Sequence, residues 1–523
     1  MDSALTLAAA LVSVAALFVT IARQLHMFQQ NSYFYSRFFD YLKGNFKLSS
    51  AMSAVFAAIS IALALINPLI CLIFTCICCA FRVINAVYKL THAKVKLKFT
   101  ARVRRMYYTL ALLCIIVFGG LFAFANPFVM LCIASVMLVV SPFVVMLVNL
   151  TNAPFEHSAK RWYINDAKKI LKNHGKMTII ALTGSYGKTS TKYILSRILS
   201  EKFNVTITPG NFNTTMGVVR TIREHLKPDT QVFIVEMGAK KSGDIKEICD
   251  IVHADYGIIT SIGPQHLNTF GSVENIVKTK FELADDVCKN GGTVYLNCDN
   301  DYICGAKNSY TYKGYGVDNR SEYIYAENIK GGKNGLQFDI VCGCRKINVT
   351  TKLLGRHNVL NILAAVAIAI DLGLTDTDIK YALEMLTPVE HRLQLKPLFG
   401  GAVLIDDAYN ANPDGSLEAM RVIGSFAPMK RIVVTPGLVE LGEREYECNK
   451  ALGKAAAENA DEIYFVGEER SKALLDGAYE TDFDKSKIHV TKTFNDALNE
   501  LKTKCDKNTV VIFENDLPDN YAK

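Results

Sequence analysis

A lysine, an acid, a histidine and a second lysine recur along the middle of this chain in an order suited to moving a phosphoryl group. The first lies in Thr183-Gly184-Ser185-Tyr186-Gly187-Lys188-Thr189-Ser190, between an apolar run and a helical pattern. Glycines let backbone N–H groups converge on phosphates, a helix N-terminus favours their charge, and Lys188 can reach the terminal phosphates. Thr189 offers a hydroxyl to Mg²⁺. Residue 182 is Leu, so the run is GxxGKT and not the longer GxxxxGK[ST]. Alone it specifies a nucleotide phosphate site and leaves kinase, GTPase and ligase open. Glu236 ends the next strong strand pattern, in Val-Glu-Met-Gly-Ala. An acid at a carboxyl strand end near such a loop can hold or bridge Mg²⁺. His266 follows another strand pattern in Thr260-Ser261-Ile262-Gly263-Pro264-Gln265-His266-Leu267, and Lys280 comes 14 residues later. Taken singly, these three read as a solvated strand-end acid, a structural histidine and a helix-surface lysine.

Taken in order, they resemble the Mur ligases, the ATP-dependent ligases of peptidoglycan precursors. Further segments carry the resemblance: Thr208–Gly217 (TPGNFNTTMG) is similar to the family's asparagine-rich loop, and Leu354–Ala365 (LGRHNVLNILAA) to its Gly-x-His-Asn-x-x-Asn helix. His391–Gln394 (HRLQ) supplies Arg392, while Asp406–Gly415 (DDAYNANPDG) and Glu440–Glu443 (ELGE) resemble the MurF-type member, which adds D-alanyl-D-alanine. The likeness covers about residues 177–515. It implies an ADP-forming reaction in which ATP phosphorylates a peptide carboxylate and an incoming amine attacks the acyl phosphate. It also implies roles. Gly184, Ser185, Tyr186, Gly187, Lys188, Thr189 and Ser190 would cradle the phosphates. Asn358 and Asn361 would face adenine, and Arg392, Asp407 and Asn410 would meet the nucleotide from the C-terminal domain. Thr189, Glu236, His266 and Lys280 would hold two Mg²⁺ ions, Lys280 as a carbamate, since a bare ammonium has no acceptor for a cation. The sequence differs from the MurF-type pattern at Thr214-Thr215 and Val219, and at its FENDLPDN ending, where Lys-Gly-Ser is expected.

Elements to position these residues are legible. Strand-length apolar runs recur at Met177–Leu182, Val232–Val235, Tyr256–Ile262, Thr293–Leu296, Val403–Ile405, Ile432–Val434, Ile463–Val466 and Val510–Phe513. Helical spacing separates many of them, as at Thr189–Lys202, Asn358–Leu372 and Asn449–Asn459. Such alternation predicts parallel sheets covered by helices. The expected order is a membrane anchor over 1–150, a linker over 151–176, an ATP-binding P-loop domain over 177–387 and a Rossmann-like domain over 388–523. Within the third, 305–352 reads as an antiparallel insert.

The first 150 residues are of another kind. They hold 12 Lys and Arg against Asp2 and Asp40, while the remainder is close to neutral. The chain's net charge of +8 therefore sits among apolar runs, which argues against a nucleic-acid partner. Ala4–Ala22 is long enough to span a bilayer, and Ser49–Phe81 and Tyr107–Leu150 carry no charge at all. Eight cations and no acid lie over Arg82–Met106, which the positive-inside rule places in the cytoplasm, as it does the basic stretch Arg23–Lys47. Asn67-Pro68 and Asn126-Pro127 would then mark hairpin bends, giving four or five spans in a plasma membrane and cytoplasmic catalytic domains. Six of the fourteen cysteines lie in the apolar N-terminal region and the other eight are scattered. Cys342 and Cys344 form the only close pair of the soluble part, with no CxxC or His cluster there to complete a zinc site, so the cysteines read as free thiols.

The resulting expectation is a membrane-anchored Mur-type ligase that joins an amino acid or dipeptide to a peptidoglycan-type peptide. The apolar runs stand where the family has a small UDP-sugar-binding domain, so a lipid-linked acceptor is the first alternative. A membrane-coupled P-loop ATPase without ligase activity is the alternative of another class.

Overall fold

The computed structural model describes residues 2–31, 33–93, 95–124, 126–265, 267–408, 411–439 and 441–516. His266 and Asn410 lie outside the described residues. The chain divides into two compact units, the first running to Arg161 and the second covering Trp162–Asp516.

The first unit is helical: α1 (Asp2–Gln30), α2 (Tyr35–Ile66), α3 (Pro68–Thr91), α4 (Ala101–Phe124), α5 (Pro127–Val139) and the early part of α6 (Ser141–Asn173). Both Asn-Pro pairs mark helix starts. Asn67 accepts from the Leu69 and Ile70 amides and Asn126 from the Phe128 amide, with proline in the following position. An N-cap amide acceptor followed by a residue with no N–H to satisfy is a strong start signal. Three helices, Ser3–Gln30, Pro68–Thr91 and Ala101–Phe122, are long and apolar enough to cross a membrane. A fourth span results if α5 and α6, bent by 87° at their junction, count as one. Among the described residues the count is therefore three or four. The expected span that is not counted is the first arm of the Ser49–Phe81 block: its described apolar helical part, Ser53–Ile66, is shorter than the about 20 residues of a crossing.

One end of this unit is polar. Gln29 donates to the Lys98 carbonyl (2.9 Å) and accepts from its amide (3.0 Å), and His26 Nε2 lies 2.6 Å from the Val95 carbonyl. Arg102 donates to Asn149 (2.8 Å), Thr109 is bonded to Asn152, and Arg105 pairs with Glu156 (2.8 Å). These bonds bring the end of α1, the basic 92–105 stretch and residues 149–156 of α6 together.

The second unit holds two sheets. The first runs in the order β2 (Val205–Ile207), β3 (Val232–Glu236), β1 (Thr178–Thr183), β4 (Tyr256–Ile259), β5 (Thr293–Asn297), β6 (Tyr312–Gly316), β7 (Ile324–Gly332), β8 (Gly335–Cys342), β9 (Arg345–Thr351). Pairing is parallel as far as β7 and antiparallel from there, so residues 305–352 extend the main sheet. One face is covered by α7 (Lys188–Leu199), α13 (His357–Asp371) and α14 (Asp376–Glu384). The other carries α8 (Thr215–Glu224), α9 (Asp244–Val252), α10 (Leu267–Phe270), α11 (Val273–Lys289), α12 (Asp301–Ala306) and the end of α6 around Ala167. Continuous apolar strands such as TIIAL and VFIV are what a sheet covered on both faces requires.

The second sheet runs β10 (Gln394–Pro397), β11 (Val403–Asp407), β15 (Thr509–Glu514), β12 (Lys430–Thr435), β13 (Glu462–Val466), β14 (Ile488–Thr491), with only β10 antiparallel. Helices α15 (Pro413–Gly424), α16 (Glu445–Asn459), α17 (Ser471–Ala478) and α18 (Phe494–Lys504) cover it. Each of the eight strand runs read from the sequence coincides with a strand and each of the three helical patterns with a helix, although β4 stops at Ile259, short of Ile262, and α7 at Leu199, short of Lys202. The residues expected as a linker, 151–176, fall mostly within α6.

Candidate functional site

Strand order reverses beside β1: the chain passes from β1 to β2 and β3 on one side, then to β4 on the other. In open α/β sheets the carboxyl ends of strands at such a reversal form a ligand crevice. The segments Thr183–Lys188 and Thr260–Pro264 leave β1 and β4 there and lock together. Ser185 N donates to Ser261 O (2.6 Å), Ser185 Oγ to Gly263 O (3.1 Å), Tyr186 OH to Pro264 O (3.1 Å), and Thr260 Oγ1 to Tyr186 O (2.5 Å). Two glycines make this fit possible. A Cβ on Gly184 would lie 2.0 Å from Thr260 Oγ1, and Gly187, at φ +80°, would bring one 2.6 Å from Asn361 Oδ1.

Lys188 begins α7 and its ammonium bends back onto the Gly184 (2.6 Å) and Ser185 (2.9 Å) carbonyls. Burial lowers its pKa to about 8, Glu236 opposing and Arg392 reinforcing the shift. Arg392 thus acts electrostatically on the loop from the start of the second sheet. Thr189 Oγ1 lies 3.1 Å from both oxygens of Glu236. That carboxylate also accepts from Asn213 Nδ2 (3.0 Å) and pairs with Lys192 at 2.9 Å. Burial favours its neutral form, but the Lys192 and Lys188 charges prevail and hold the carboxyl below its ordinary value. Ser190 follows Thr189 in the first turn of α7, half-buried.

Lys280 lies in α11 and is 3% exposed. Burial, reinforced by the Lys188 charge and opposed by Asp244 and Glu282, pushes its ammonium well below the ordinary lysine value. The helix-surface reading of this residue fails: α11 turns it inward with Ile276, Thr279 and Phe281.

Asn358 and Asn361 are buried, and their side chains are engaged inside the fold. Asn358 donates to Leu354 O (2.7 Å), and Asn361 donates to Asn358 (3.0 Å) and accepts from Thr191 (3.1 Å). They brace α13 against α7 and the glycine loop. A pocket of about 380 Å³ opens beside the start of α13, lined by Val317, Asp318, Arg320, Ala326, Asn328 and Arg356.

From the second sheet, Asp407 accepts from the Leu393 amide (3.1 Å), with Arg392 and His357 in its field. Its neighbour across the parallel pair β11–β15 is Glu514, which has no solvent exposure and accepts from Ser416. Burial and the adjoining Asp407 push Glu514 well above the ordinary carboxylate range. Asp406 turns instead to His391 (2.8 Å) and Lys396 (2.7 Å).

The structure thus puts Thr189 in direct contact with Glu236, brings Lys188 within electrostatic reach of that carboxylate, and brings Lys280 and Arg392 within electrostatic reach of Lys188. Sequence reading missed Lys192, Asn213 and Glu514. Lys192 had a signal: it lies one turn beyond Lys188, four residues along the same helix, among apolar positions. Among the described residues no three His, Cys, Asp or Glu side chains form a cation cage. That sparse oxygen set suits Mg²⁺, which keeps waters and takes one or two protein ligands plus substrate phosphates.

Residues 182–369 match the Mur ligase middle domain, and 391–514 the Mur ligase, glutamate ligase domain. The chain is 31% identical over 297 residues to the UDP-N-acetylmuramoyl-tripeptide--D-alanyl-D-alanine ligase of Escherichia coli (strain K12), covering 56% of this chain and 65% of that protein. A crystal structure of MurF from Acinetobacter baumannii is 27% identical with a TM-score of 0.61, covering 69% of this chain and 78% of that one. MurF ligase from Thermotoga maritima in complex with ADP is 25% identical with a TM-score of 0.60, covering 68% and 80%. The chain thus spans somewhat less than two thirds of the Escherichia coli enzyme's length. Through its middle and C-terminal domains, this chain belongs to the Mur ligase family.

Proposed function

We propose that this protein is an ATP-dependent, ADP-forming amide ligase of MurF type, adding an amino acid or dipeptide to a peptidoglycan-type peptide. D-alanyl-D-alanine is the best-matched amine. The observation that carries the reading is the Thr189–Glu236 contact at the sheet's reversal point, with the Lys188 ammonium in the field of that carboxylate and of Arg392 from the second domain. In this reading the 184–190 loop holds the ATP phosphates and Lys188 follows the transferring phosphoryl group with its charge. Thr189 and Glu236 would hold Mg²⁺, with His266 and a carbamylated Lys280 at a second site. Such ions neutralise charge on the phosphates when bound. The inward position of Lys280 supports the carbamate, because carbamylation needs an uncharged amine and burial favours one. Arg392, Asp407 and Asn410 complete the nucleotide site as the P-loop domain and the Rossmann-like C-terminal domain close.

The acceptor carboxylate takes the γ-phosphoryl group from ATP, releasing ADP. The amine nitrogen then attacks the acyl carbon, forming the amide and expelling phosphate. The test is the co-substrate requirement, read by mass spectrometry of products. Phosphate should appear only when a carboxylate peptide and an amine are both present, with a product heavier by the amine less water. Phosphate release without either substrate would favour the membrane-coupled ATPase and overturn the ligase.

The helical unit favours a second reading of the acceptor, a lipid-linked precursor at a plasma membrane. Three long apolar helices and a polar end that gathers both basic stretches support a multi-pass anchor whose cation-rich end, and the catalytic domains, are cytoplasmic. In intact cells, exposed Cys344 should escape an impermeant thiol reagent until the membrane is opened. Labelling before that would overturn the topology.

A further inference from the structure

Among the fully buried side chains is a lysine that the phosphate-site motif does not include. Lys192 has no solvent exposure. Its ammonium pairs with Glu236 Oε2 at 2.9 Å and donates to the Gly210 carbonyl at 2.7 Å. Gly210 lies in the turn of the Thr208–Asn213 loop, at φ +48°. The same loop is tied to the end of β3 at three other points. Thr208 Oγ1 accepts from Glu236 N (3.1 Å), Asn213 Nδ2 donates to Glu236 Oε1 (3.0 Å), and Asn213 O accepts from Gly238 N (2.6 Å). Lys192 therefore joins three things: helix α7, the acid at the strand end, and the turn of the asparagine-rich loop.

A buried ion pair is a poor device for stability alone. Desolvating an ammonium costs several kcal/mol, and apolar replacements of such pairs are often neutral or stabilising. What the pair fixes is geometry. With Asn213 on one oxygen and Lys192 on the other, the Glu236 carboxylate is held so that both oxygens face the Thr189 hydroxyl. We infer that Lys192 is a positioning residue of the phosphate site: it orients Glu236 and clamps the Thr208–Asn213 loop against it, so that the glycine loop and the asparagine-rich loop form one preformed frame. The kinetic consequence rests on the ligase reading; the clamp does not.

The test uses the full-length protein and Lys192→Met, which keeps the stem and removes the ammonium. Without nucleotide, amides of Thr208–Asn213 should exchange with deuterium about 10-fold faster, while the strands of the C-terminal sheet keep their protection. With substrates, kcat should fall about 100-fold while KM for ATP stays within about threefold, the split expected when an orienting contact is lost and uniform binding is kept. Removing Lys192 leaves Glu236 buried beside one fewer cation, so the single variant can fold poorly. Lys192→Met with Glu236→Gln removes both charges. It should recover the melting temperature but not the loop protection, because Gly210 still lacks its donor. Unchanged exchange over Thr208–Asn213 in either variant overturns the clamp, and normal kcat in Lys192→Met overturns the orienting role. If the wild type releases no ligation product yet the loop loosens as expected, the ligase reading fails and the clamp stands.

Discussion

Glu236 and Glu462 are both acids in interior strands of mainly parallel sheets, 1% and 7% exposed, and both are held by lysines. They lie at opposite ends of their strands. Glu236 is the last residue of β3 and Glu462 the first of β13. At the carboxyl end, the partners of Glu236 come from the first turns of α7 and from a loop: Thr189, Lys192 and Asn213. At the amino end, Glu462 is enclosed by Lys430 of β12, Tyr464 of its own strand, His489 of β14 and Lys504 closing α18. Every partner of Glu462 belongs to the sheet or its covering helix, so the cluster staples β12, β13, β14 and α18 together. Glu236 has comparable burial, yet its neighbours are the segments that would receive phosphate. On the proposed reading, strand polarity, more than the mere presence of a buried acid–lysine pair, would separate a working acid from a structural one.

The sharpest way to break this comparison is at Lys188. Lys188→Ala should lower ATP turnover by about 10³-fold, as expected for losing a charge aimed at the transferring phosphoryl group. The thermal midpoint should stay level or rise, since burial disfavours this ammonium in the fold. Substantial ligation by the variant would detach the 184–190 loop from phosphate and remove the distinction drawn for Glu236.

Next in size is Lys280→Ala, with about 100-fold less ligation but ADP binding retained, because the residue is assigned to metal holding and not to the nucleotide. A short carboxylic acid or chloride should restore part of the activity by replacing the anionic group. Near-normal turnover of the variant would sink the carbamate.

Legibility followed the same polarity. The apolar runs that became β1, β3, β4, β5, β11, β12, β13 and β15 were visible because strands covered on both faces must be apolar throughout. Short β2, β10 and β14 were not, since three or four residues carry too little pattern. Lys188, Thr189 and Glu236 were legible from local spacing. Lys192 and Asn213 were not, because their partner is distant in sequence and only the β1–β3 pairing brings it near. The asparagines at 358 and 361 taught a different lesson. The resemblance implies a ligand contact for them, and in the fold their amides also brace α13 against α7. At Asn67-Pro68, the same two residue types that suggested a bend act by capping the next helix.

A smaller effect is expected at Arg392, which influences the site through charge and domain closure. Arg392→Gln should raise the ADP dissociation constant about 10-fold and leave single-turnover chemistry at saturating ATP within a few-fold. Asp407→Asn should behave similarly. Loss of chemistry at saturation would place Arg392 among the groups acting on the reacting atoms.

The least effect on turnover belongs to Glu462, and its variant tests the structural half of the comparison. Glu462→Gln should leave kcat within about twofold, because no loop of the phosphate site touches it. Its cost should appear as acid sensitivity. Burial alone would raise this carboxyl's pKa, but bonds from Lys430, Lys504 and Tyr464 prevail and bring it from 4.5 to about 2. A carboxyl depressed in the fold contributes stability that is fully present above its unfolded value and is lost as pH falls through the folded one. The window is therefore from about 4.5 down to about 2, with at most about 3 kcal/mol at stake. Thermal unfolding of the full-length protein across that window should show the C-terminal transition falling with pH in the wild type. In Glu462→Gln it should start lower and fall less steeply. Parallel acid dependence in the two proteins would show that the staple of the second sheet lies elsewhere, and that Glu462 is a poor structural counterpart to Glu236.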